Sequence, residues 1–352
     1  MAPEVQRLIA TYLDRDRKAD IDWHDPAERA AQLAVLVKDC ETALELAAEH
    51  SDEDDVRSTG WLLTKILGDD VVQGADGKPQ IGEGTAPERI ISLTDTEMRH
   101  GRKSSAHRFD GHKAIVSMDQ ASEMILDVGD LAASAGDGKS LMPGIERVEE
   151  HAGVTVEHAI GDGAFGSGAN RAACAEREQP VDLLSPLRQP VDPEVDKSAF
   201  QIDLEAQTAT CPQGHTVPVQ NIRQEKDRPV LHFAFPCQTC EACPLFSRCV
   251  RSQTNGHSLN TSPFEAYLQA ARERQKTAEF KETYRLRSRV EGKQAEMVRH
   301  GLRNTRYVGE AKRQFQRLWL GAAVNLKRLF TLAEARSVDL PGVFGQLSTA
   351  VA

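Results

Sequence analysis

The sequence contains no run of about eighteen apolar residues, which is the length that a membrane-spanning helix needs. Its first residues contain no uncharged apolar stretch before a small-residue cleavage site, which argues against secretion. We therefore expect a cytoplasmic protein without a membrane partner. The chain has 352 residues, of which 40% are hydrophobic and 27% charged, so it can bury a core in one elaborated domain or two.

Cysteine is scarce outside one short region, where five of the seven cysteines lie within 39 residues. In a reducing compartment such a cluster indicates a metal site before it indicates disulfides. The number of thiols exceeds what one tetrahedral site needs, and the spacing is typical of structural zinc. We expect zinc ligands at Cys211, Cys240, Cys243 and Cys249, with Cys237 and His215 as alternates.

Two other interpretations of the cysteines stay open, namely an iron–sulfur cluster in a redox protein and thiols without a metal. The Cys-x2-Cys-x2-Cys run suits iron–sulfur chemistry, but the fourth cysteine of a bacterial ferredoxin follows after three residues and precedes proline. Here five residues intervene and Val250 follows. Zinc is therefore favoured, and it would help to fold a small insertion that lacks enough core.

The first seventy residues have a helical pattern. Asp25, Pro26 and Glu28 form a helix start with an N-cap, a proline and an early glutamate. Apolar residues then recur at helical spacing through Cys40, which is most simply a core residue. From Gly68 to Pro87 glycine, aspartate and proline interrupt the pattern, and we expect a loop there.

After residue 88 the pattern changes to short strands, predicted at 89–93, 111–117 and 123–128. A helix at 141–151 and an apolar strand at 154–160 follow, and then a helix at 170–177 and a strand at 181–185. The strand at 154–160 runs into Gly161-Asp162-Gly163. That turn places Asp162 at the carboxyl end of a strand, where α/β sheets bind ligands. A capping aspartate in a tight turn is the simpler alternative.

A second glycine-containing segment, Ala133 to Ser140, is similar to a phosphate-binding loop between a strand and a helix. Its first glycine is replaced by alanine, and the strand before it contains Asp127 and Asp130, where a buried parallel strand should be apolar. A turn that caps the helix at Leu141 explains the segment equally well, and we favour that interpretation.

One segment of the chain is basic, although the whole chain has a formal net charge of −10. From Phe264 to Phe330 there are sixteen Lys and Arg residues and seven Glu residues. On a helix, Tyr284, Arg287 and Glu291 share one stripe, because residues three and four apart are neighbours. A solvated, ion-paired helix face is the alternative. Paired with Asp162, Glu291 could instead hold a divalent ion while Lys and Arg contact phosphates.

Several motifs, in their order along the chain, resemble the DDE transposases of bacterial insertion sequences, in the subgroup with a cysteine-bearing insertion before the last catalytic residue. The motifs that carry the resemblance are Asp95-Thr-Glu-Met-Arg99, Phe109-Asp-Gly-His-Lys113, Gly161-Asp162-Gly-Ala-Phe165-Gly166, Cys243-Pro-Leu-Phe-Ser-Arg-Cys249, Tyr284-Arg-Leu-Arg287-Ser-Arg-Val-Glu291, Gly301-Leu-Arg-Asn-Thr-Arg306-Tyr307-Val-Gly309 and Asn325-Leu-Lys-Arg-Leu329.

The resemblance implies an RNase H-like α/β core in which an Asp, Asp, Glu triad binds two Mg²⁺ ions, or Mn²⁺ in their place. By position, Asp162 is the second aspartate and Glu291 the glutamate, with Tyr284 and Arg287 as further catalytic residues. The lysine that some relatives carry seven residues after the glutamate is Val298 here. The residues expected to contact DNA are Arg289, Lys293, Arg299, Arg303, Arg306, Lys312 and Arg313.

The family's first aspartate lies on a strand upstream of a helical segment like residues 4–67, and this sequence begins with the helical segment. We therefore expect a chain truncated at its N-terminus, without the first catalytic aspartate. The leading hypothesis is a transposase catalytic domain that cleaves DNA and transfers strands, with DNA and a second copy as partners. The alternative is an inactive remnant that binds DNA or dimerises with a full-length copy.

These observations divide the chain into five parts. We expect a helical segment and loop (1–88), RNase H-like core strands and helices (89–188), a cysteine-rich, β-containing insertion (189–257), a basic helical segment that completes the core (258–335) and a tail (336–352).

Overall fold

The structure is a computed structural model, and it describes residues 3–13, 21–84, 86, 88–104, 106–250 and 256–337. The chain divides into two compact units. The first consists of Met1–Lys113, Ala132–Ser134 and Val308–Glu310, and the second contains the remainder. The predicted tail lies outside the described residues from position 338 onward.

Three helices open the first unit: α1 (Pro3–Tyr12), α2 (Pro26–Ala48) and α3 (Asp54–Asp70). The predicted start of α2 is confirmed, because an oxygen of Asp25 accepts a hydrogen bond of 2.8 Å from the backbone N–H of Ala27. Cys40 lies half-buried on α2. The neighbouring Asp39 is buried and accepts hydrogen bonds of 2.7 Å from both Arg7 and Tyr12, which connects α1 to α2.

Two predictions for the first unit are wrong. The expected loop after Gly68 contains a hairpin of β1 (Val71–Gln73) and β2 (Pro79–Ile81). An Asp-Gly turn joins the two strands, and Gly77 in that turn has φ +74°. The predicted strand at 89–93 is irregular. Instead β3 (Arg99–Arg102) pairs antiparallel with the first residues of β4 (Arg108–Met118).

In the second unit, β4 ends in a turn whose Asp119 N–H donates 2.9 Å to the carbonyl of Met124, and β5 (Ile125–Ala132) runs beside it. A 3-10 helix (Asp137–Ser140) then leads into α4 (Leu141–Ala152). Next come β6 (His158–Ile160), α5 (Gly168–Ala175) and β7 (Asp182–Leu184), with β6 parallel to β7. These elements overlap the strands and helices predicted at 111–185.

Most of the predicted insertion, together with residues 258–260, forms two small antiparallel sheets around a core that contains Phe200, Phe233 and Phe235. A 3-10 helix at Lys197–Ala199 precedes the sheets. The first sheet contains β8 (Gln201–Asp203), β9 (Thr208–Thr210) and β10 (Thr216–Pro218). The second contains β11 (Asn221–Glu225), β12 (Arg228–Ala234) and β13 (Ser258–Asn260), and the short helices α6 (Cys237–Glu241) and α7 (Phe246–Cys249) lie between β12 and β13.

Four helices complete the second unit: α8 (Glu265–Lys276), α9 (Ala278–Tyr284), α10 (Arg287–Arg299) and α11 (Glu310–Ala335). Buried Ile125 and Val128 of β5 pack with Met297 of α10 and Val324 of α11. The side-chain amide of Asn325 accepts 2.7 Å from the N–H of Ile125 and donates 2.8 Å to its carbonyl oxygen. This core therefore fixes α10 and α11 against β5.

The described structure is 45% helix and 18% strand, which is a mixed α/β composition. None of the described helices combines the length and apolarity needed to cross a bilayer.

Candidate active site

Asp162 lies in the loop after β6, and the backbone around it is tightly bonded. The N–H of Gly161 donates 3.0 Å to the carbonyl of Leu184 on β7, and Ser185 Oγ donates 2.5 Å to the carbonyl of Asp162. One carboxylate oxygen, Oδ1, accepts 2.8 Å from the N–H of Ala164, while the side chain remains exposed. Asp162 is thus both the turn-capping residue of the simpler alternative and an accessible carboxylate at a strand end.

Arg171, a residue that the sequence did not single out, stabilises this loop through hydrogen bonds to its backbone. The residue is 9% exposed, and its guanidinium donates to the carbonyls of Gly166 (3.1 Å) and Ser185. Burial lowers the pKa of the Arg171 guanidinium, and repulsion from the Arg274 charge lowers it further. A side chain at Gly166 would place its Cβ 2.5 Å from Ser185 Oγ, so only glycine allows this close approach.

The 3-10 helix before α4 lies against the same loop. Asn170 Nδ2 donates 2.9 Å to the carbonyl of Gly138 and 2.9 Å to that of Phe165. Ser140 Oγ donates 2.7 Å to the carbonyl of Asp137, and as the N-cap of α4 it makes no side-chain capping hydrogen bond. The two hydrogen bonds of Asn170 hold the glycine-containing segment against the Asp162 loop.

Glu291 projects from the second turn of α10, and its side chain is 56% exposed. Arg287, one helical turn earlier, donates 2.6 Å to Glu291 Oε1. The Arg287 guanidinium also lies 5.6 Å from the centre of the Tyr284 ring, which stacks on buried Phe280 with 5.6 Å between ring centres. The predicted stripe of Tyr284, Arg287 and Glu291 therefore forms one connected surface, although α9 ends and α10 begins within it.

The electrostatic environment of Tyr284 relates this stripe to Asp162. Burial raises the pKa of Tyr284 above its usual range, Arg287 opposes that shift, and the negative charges of Asp162 and Glu291 raise the pKa further. Both carboxylates therefore act on the same phenol, although they are 129 positions apart in the sequence. At neutral pH the phenol keeps its proton and can donate a hydrogen bond.

Carboxylate oxygens are the ligands that hard divalent cations such as Mg²⁺ and Mn²⁺ prefer. Asp162 and Glu291 are both exposed, and each has a carboxylate oxygen beyond the one bonded to Ala164 or Arg287. This donor set fits such a cation. Within the described part of the chain, however, no three His, Cys, Asp or Glu side chains form a group that could hold a metal ion.

The predicted DNA contacts have different surroundings. Arg299, Arg303, Arg306 and Lys312 are exposed. Arg289 is also exposed, and it donates 2.6 Å to the carbonyl of Gln120.

Two of the predicted contacts are enclosed by the protein. Arg313 is 2% exposed, and its guanidinium lies 2.9 Å from Asp130, which also pairs with Arg317. The Lys293 side chain is 11% exposed and lies 3.1 Å from Glu296. Arg313 therefore stabilises the contact between α11 and β5, and a DNA contact by Arg313 is not proposed.

Glu296 anchors the helix that presents Glu291. It is buried and accepts hydrogen bonds from Lys327 on α11 (2.7 Å) and from Lys293 (3.1 Å). The hydrogen bond from Lys327 holds the pKa of Glu296 below its usual value despite burial, and Lys293 lowers the pKa further. The adjacent Met297 is fully buried in the core. The helical periodicity of α10 indicates Met297 as a core residue. Nothing in the neighbouring sequence indicates that Glu296 pairs with Lys327, which lies 31 residues further along the chain.

The cysteines of the insertion separate into two groups. Cys211, Cys240, Cys243 and Cys249, the four predicted zinc ligands, line one cavity, together with His215 and His257. The thiol of Cys237 instead lies 3.0 Å from Glu241 Oε1. Burial raises the pKa of the Cys249 thiol, and the charges of Cys240, Cys243 and Cys211 raise it further, as expected for neighbouring thiols.

Residues 210–330 match the model of a family described as "Transposase DDE domain". No curated protein and no solved structure matches the chain. The matched segment covers about a third of the chain and contains Glu291 and the five clustered cysteines, whereas Asp162 lies outside it. The match supports a DDE transposase.

Proposed function

We propose that this chain is the catalytic domain of an insertion-sequence transposase, built on an RNase H-like core, in which Asp162 and Glu291 share a bound divalent metal ion. The observation that carries the proposal is the connected surface of Tyr284, Arg287 and Glu291 beside exposed basic side chains, and the charge of Asp162 also raises the pKa of Tyr284. The match of residues 210–330, which include Tyr284 and Glu291, supports the same function.

Mg²⁺ or Mn²⁺ bound there would supply an activated hydroxyl and would neutralise charge on the phosphodiester. Water then adds to phosphorus at an element end, the P–O bond to the 3′ oxygen breaks, and the strand is released with a 3′ hydroxyl. In strand transfer that hydroxyl adds to a phosphorus of target DNA, and the target's own 3′ oxygen leaves.

The chain's own residues orient this chemistry. Arg287 holds Glu291 through the 2.6 Å ion pair, and the protonated phenol of Tyr284 can donate to a phosphate oxygen. The exposed basic residues would contact phosphates along the DNA, which makes binding weaken steeply with salt. That set contains Arg289, Arg299, Arg303, Arg306 and Lys312.

A second candidate is a transposase-derived protein that binds DNA without cleaving it. One observation favours it: the matched segment, residues 210–330, includes Glu291 and the exposed basic side chains but not Asp162. The basic surface would bind DNA in either case.

Nicking of supercoiled plasmid in Mn²⁺ separates the two candidates. The proposed enzyme nicks the plasmid, Asp162→Asn and Glu291→Gln abolish nicking, and the matched control Glu282→Gln, at an exposed position on α9, leaves it intact. DNA binding without nicking by the unmodified chain supports the second candidate. Equal nicking by Glu291→Gln contradicts the proposed role of that residue.

The homodimer that the resemblance implies belongs to the same proposal. Phe315, Trp319 and Leu326 are large apolar residues exposed on α11, and monomers rarely leave such a surface uncovered. Light scattering of the full chain should give twice the monomer mass. The Trp319→Glu variant should give the monomer mass. A monomeric unmodified chain contradicts the dimer.

A further inference from the structure

Four of the five clustered cysteines surround a single small cavity in the insertion. Its volume is about 30 Å³, and Cys211, Cys240, Cys243 and Cys249 are part of its wall. Since roughly 10–15 Å³ is enough for one water molecule, the cavity has room for one ion. Aromatic and aliphatic side chains, including Phe200 and Phe235, form much of the remaining wall.

Two tight backbone turns present three of these thiols. At the end of β9 the N–H of Cys211 donates 2.8 Å to the carbonyl of His215, and Gly214 closes the turn at φ +84° with an N–H that donates 2.9 Å to the carbonyl of Cys211. In the second turn the N–H of Cys243 donates 2.9 Å to the carbonyl of Cys240. Cys249 ends α7.

The surroundings of the sulfur atoms suit a bound cation. The backbone N–H of Leu245 donates 3.4 Å to Cys243 Sγ, so this sulfur is held in place as a hydrogen-bond acceptor. The carbonyl of Cys249 lies 2.9 Å from His257 Nδ1 and can only accept, so Nδ1 is the donor. The His257 ring also stacks on Phe200, with 4.8 Å between ring centres. His257 is thereby positioned as a support for Cys249.

We propose that Cys211, Cys240, Cys243 and Cys249 bind one Zn²⁺ ion as four tetrahedral thiolate ligands, and that Cys237, whose thiol lies 3.0 Å from Glu241 Oε1, is not a ligand. Each thiol releases its proton to solvent on binding. Among the described residues no three such side chains already stand in a metal-binding arrangement, so the thiols turn about their χ1 torsions toward the ion.

The zinc ion connects two parts of the insertion that, within the described residues, share no β-sheet pairing. Cys211 belongs to the sheet of β8, β9 and β10, whereas the other three ligands follow β12 and belong to the α6 and α7 segment. The core between them contains only a few buried side chains, so a structural ion adds stability that the apolar core alone does not supply. This proposal goes beyond the proposed function, because it requires neither DNA nor Mg²⁺.

Metal analysis of the purified full chain tests the proposal. We expect one zinc per chain, at least a tenfold loss of zinc in Cys240→Ser, and no loss in the matched control Cys237→Ser. The unmodified chain should also be stripped of metal and refilled with Co²⁺, which avoids any folding defect of the variants. Four thiolates around Co²⁺ should give sulfur-to-metal absorption together with the visible bands of a tetrahedral ion.

Three results overturn the proposal. A zinc-free chain that also gives no tetrahedral Co²⁺ spectrum excludes the site. Loss of zinc in Cys237→Ser to the same extent as in Cys240→Ser excludes the proposed ligand set. Iron together with acid-labile sulfide in the purified chain would show that the cysteines bind an iron–sulfur cluster and not zinc. Loss of DNA nicking alone does not bear on the site, since metal content is measured without DNA.

Discussion

Asp162 and Glu291 are held in place by different contacts, although the negative charges of both raise the pKa of Tyr284. Asp162 lies in a loop whose backbone is fixed by Ser185 and by buried Arg171. Glu291 is an exposed side chain on a helix, and the buried anchors of that helix, Glu296 and Met297, lie more than one turn further on. The aspartate is therefore placed by its own backbone, whereas the glutamate depends on how α10 docks on the core.

This difference implies that the two carboxylates can be displaced independently. Changes beneath α10 should move Glu291 and leave the Asp162 loop intact, and changes at Arg171 should do the opposite. The four predictions below test this division in order of decreasing effect on stability.

The largest effect is expected from Met297→Ala, which empties a fully buried position under α10. The free energy of unfolding should fall by about 2–5 kcal/mol, because transfer energy is lost and a cavity remains. Urea denaturation measures the change. Gln294→Ala, at an exposed position on the same helix, should stay within about 0.5 kcal/mol. Equal effects of the two substitutions would show that α10 does not depend on this core.

Arg171→Met should lower the free energy of unfolding by about 1–3 kcal/mol, because the carbonyls of Gly166 and Ser185 lose their buried donor. Hydrogen exchange should rise at residues 161–166 and remain unchanged in α10. Arg188→Met, at an exposed position, serves as the control. If the Asp162 loop kept its protection in Arg171→Met, the arginine would not position the aspartate.

Glu296 should give the α10 anchor a pH dependence. Its pKa is lowered in the folded chain, so its ionised form stabilises the fold above the unfolded value of 4.5, and that stability is lost as pH falls through the lowered pKa. The difference in unfolding free energy between the unmodified chain and Glu296→Gln should be greatest near neutral pH and should shrink below 4.5. A difference that is independent of pH would exclude the ion pairs with Lys327 and Lys293 as its source.

Arg287→Gln should have the smallest effect on stability. The exposed pair of Arg287 and Glu291 is four residues apart on a helix, and such pairs contribute about 0.3–0.5 kcal/mol. Thermal or urea unfolding should change by no more than that amount, while Mn²⁺-dependent nicking should decrease because Glu291 loses its orienting partner. A loss of stability as large as that of Arg171→Met would remove the contrast between the two carboxylates.

The sequence indicated the candidate site residues more readily than the residues that support them. Asp162 was visible because glycines flank it after a strand, and Glu291 because it shares a helical stripe with Tyr284 and Arg287. Arg171 was not visible, since its partners are backbone carbonyls that any residue carries. Arg313 was interpreted as a DNA contact because its charge is local information, whereas its partner Asp130 is 183 residues away.

The β1 and β2 hairpin was missed for a related reason, because its strands are too short to show alternation. The cysteine spacing was informative because Cys211, Cys240, Cys243 and Cys249, which it grouped together, line one cavity. Which thiol lies apart could be seen only in three dimensions, through the contact of Cys237 with Glu241.

The most direct test of the central claim is whether Asp162 and Glu291 share one metal ion. Fe²⁺ bound in place of Mg²⁺, with ascorbate and peroxide, generates radicals that cut the polypeptide near the ion. The account predicts cuts close to both residue 162 and residue 291, with both sets lost in either Asp162→Asn or Glu291→Gln and both retained in Glu282→Gln. Cuts at one segment only, or cuts that persist in Glu291→Gln, would contradict it.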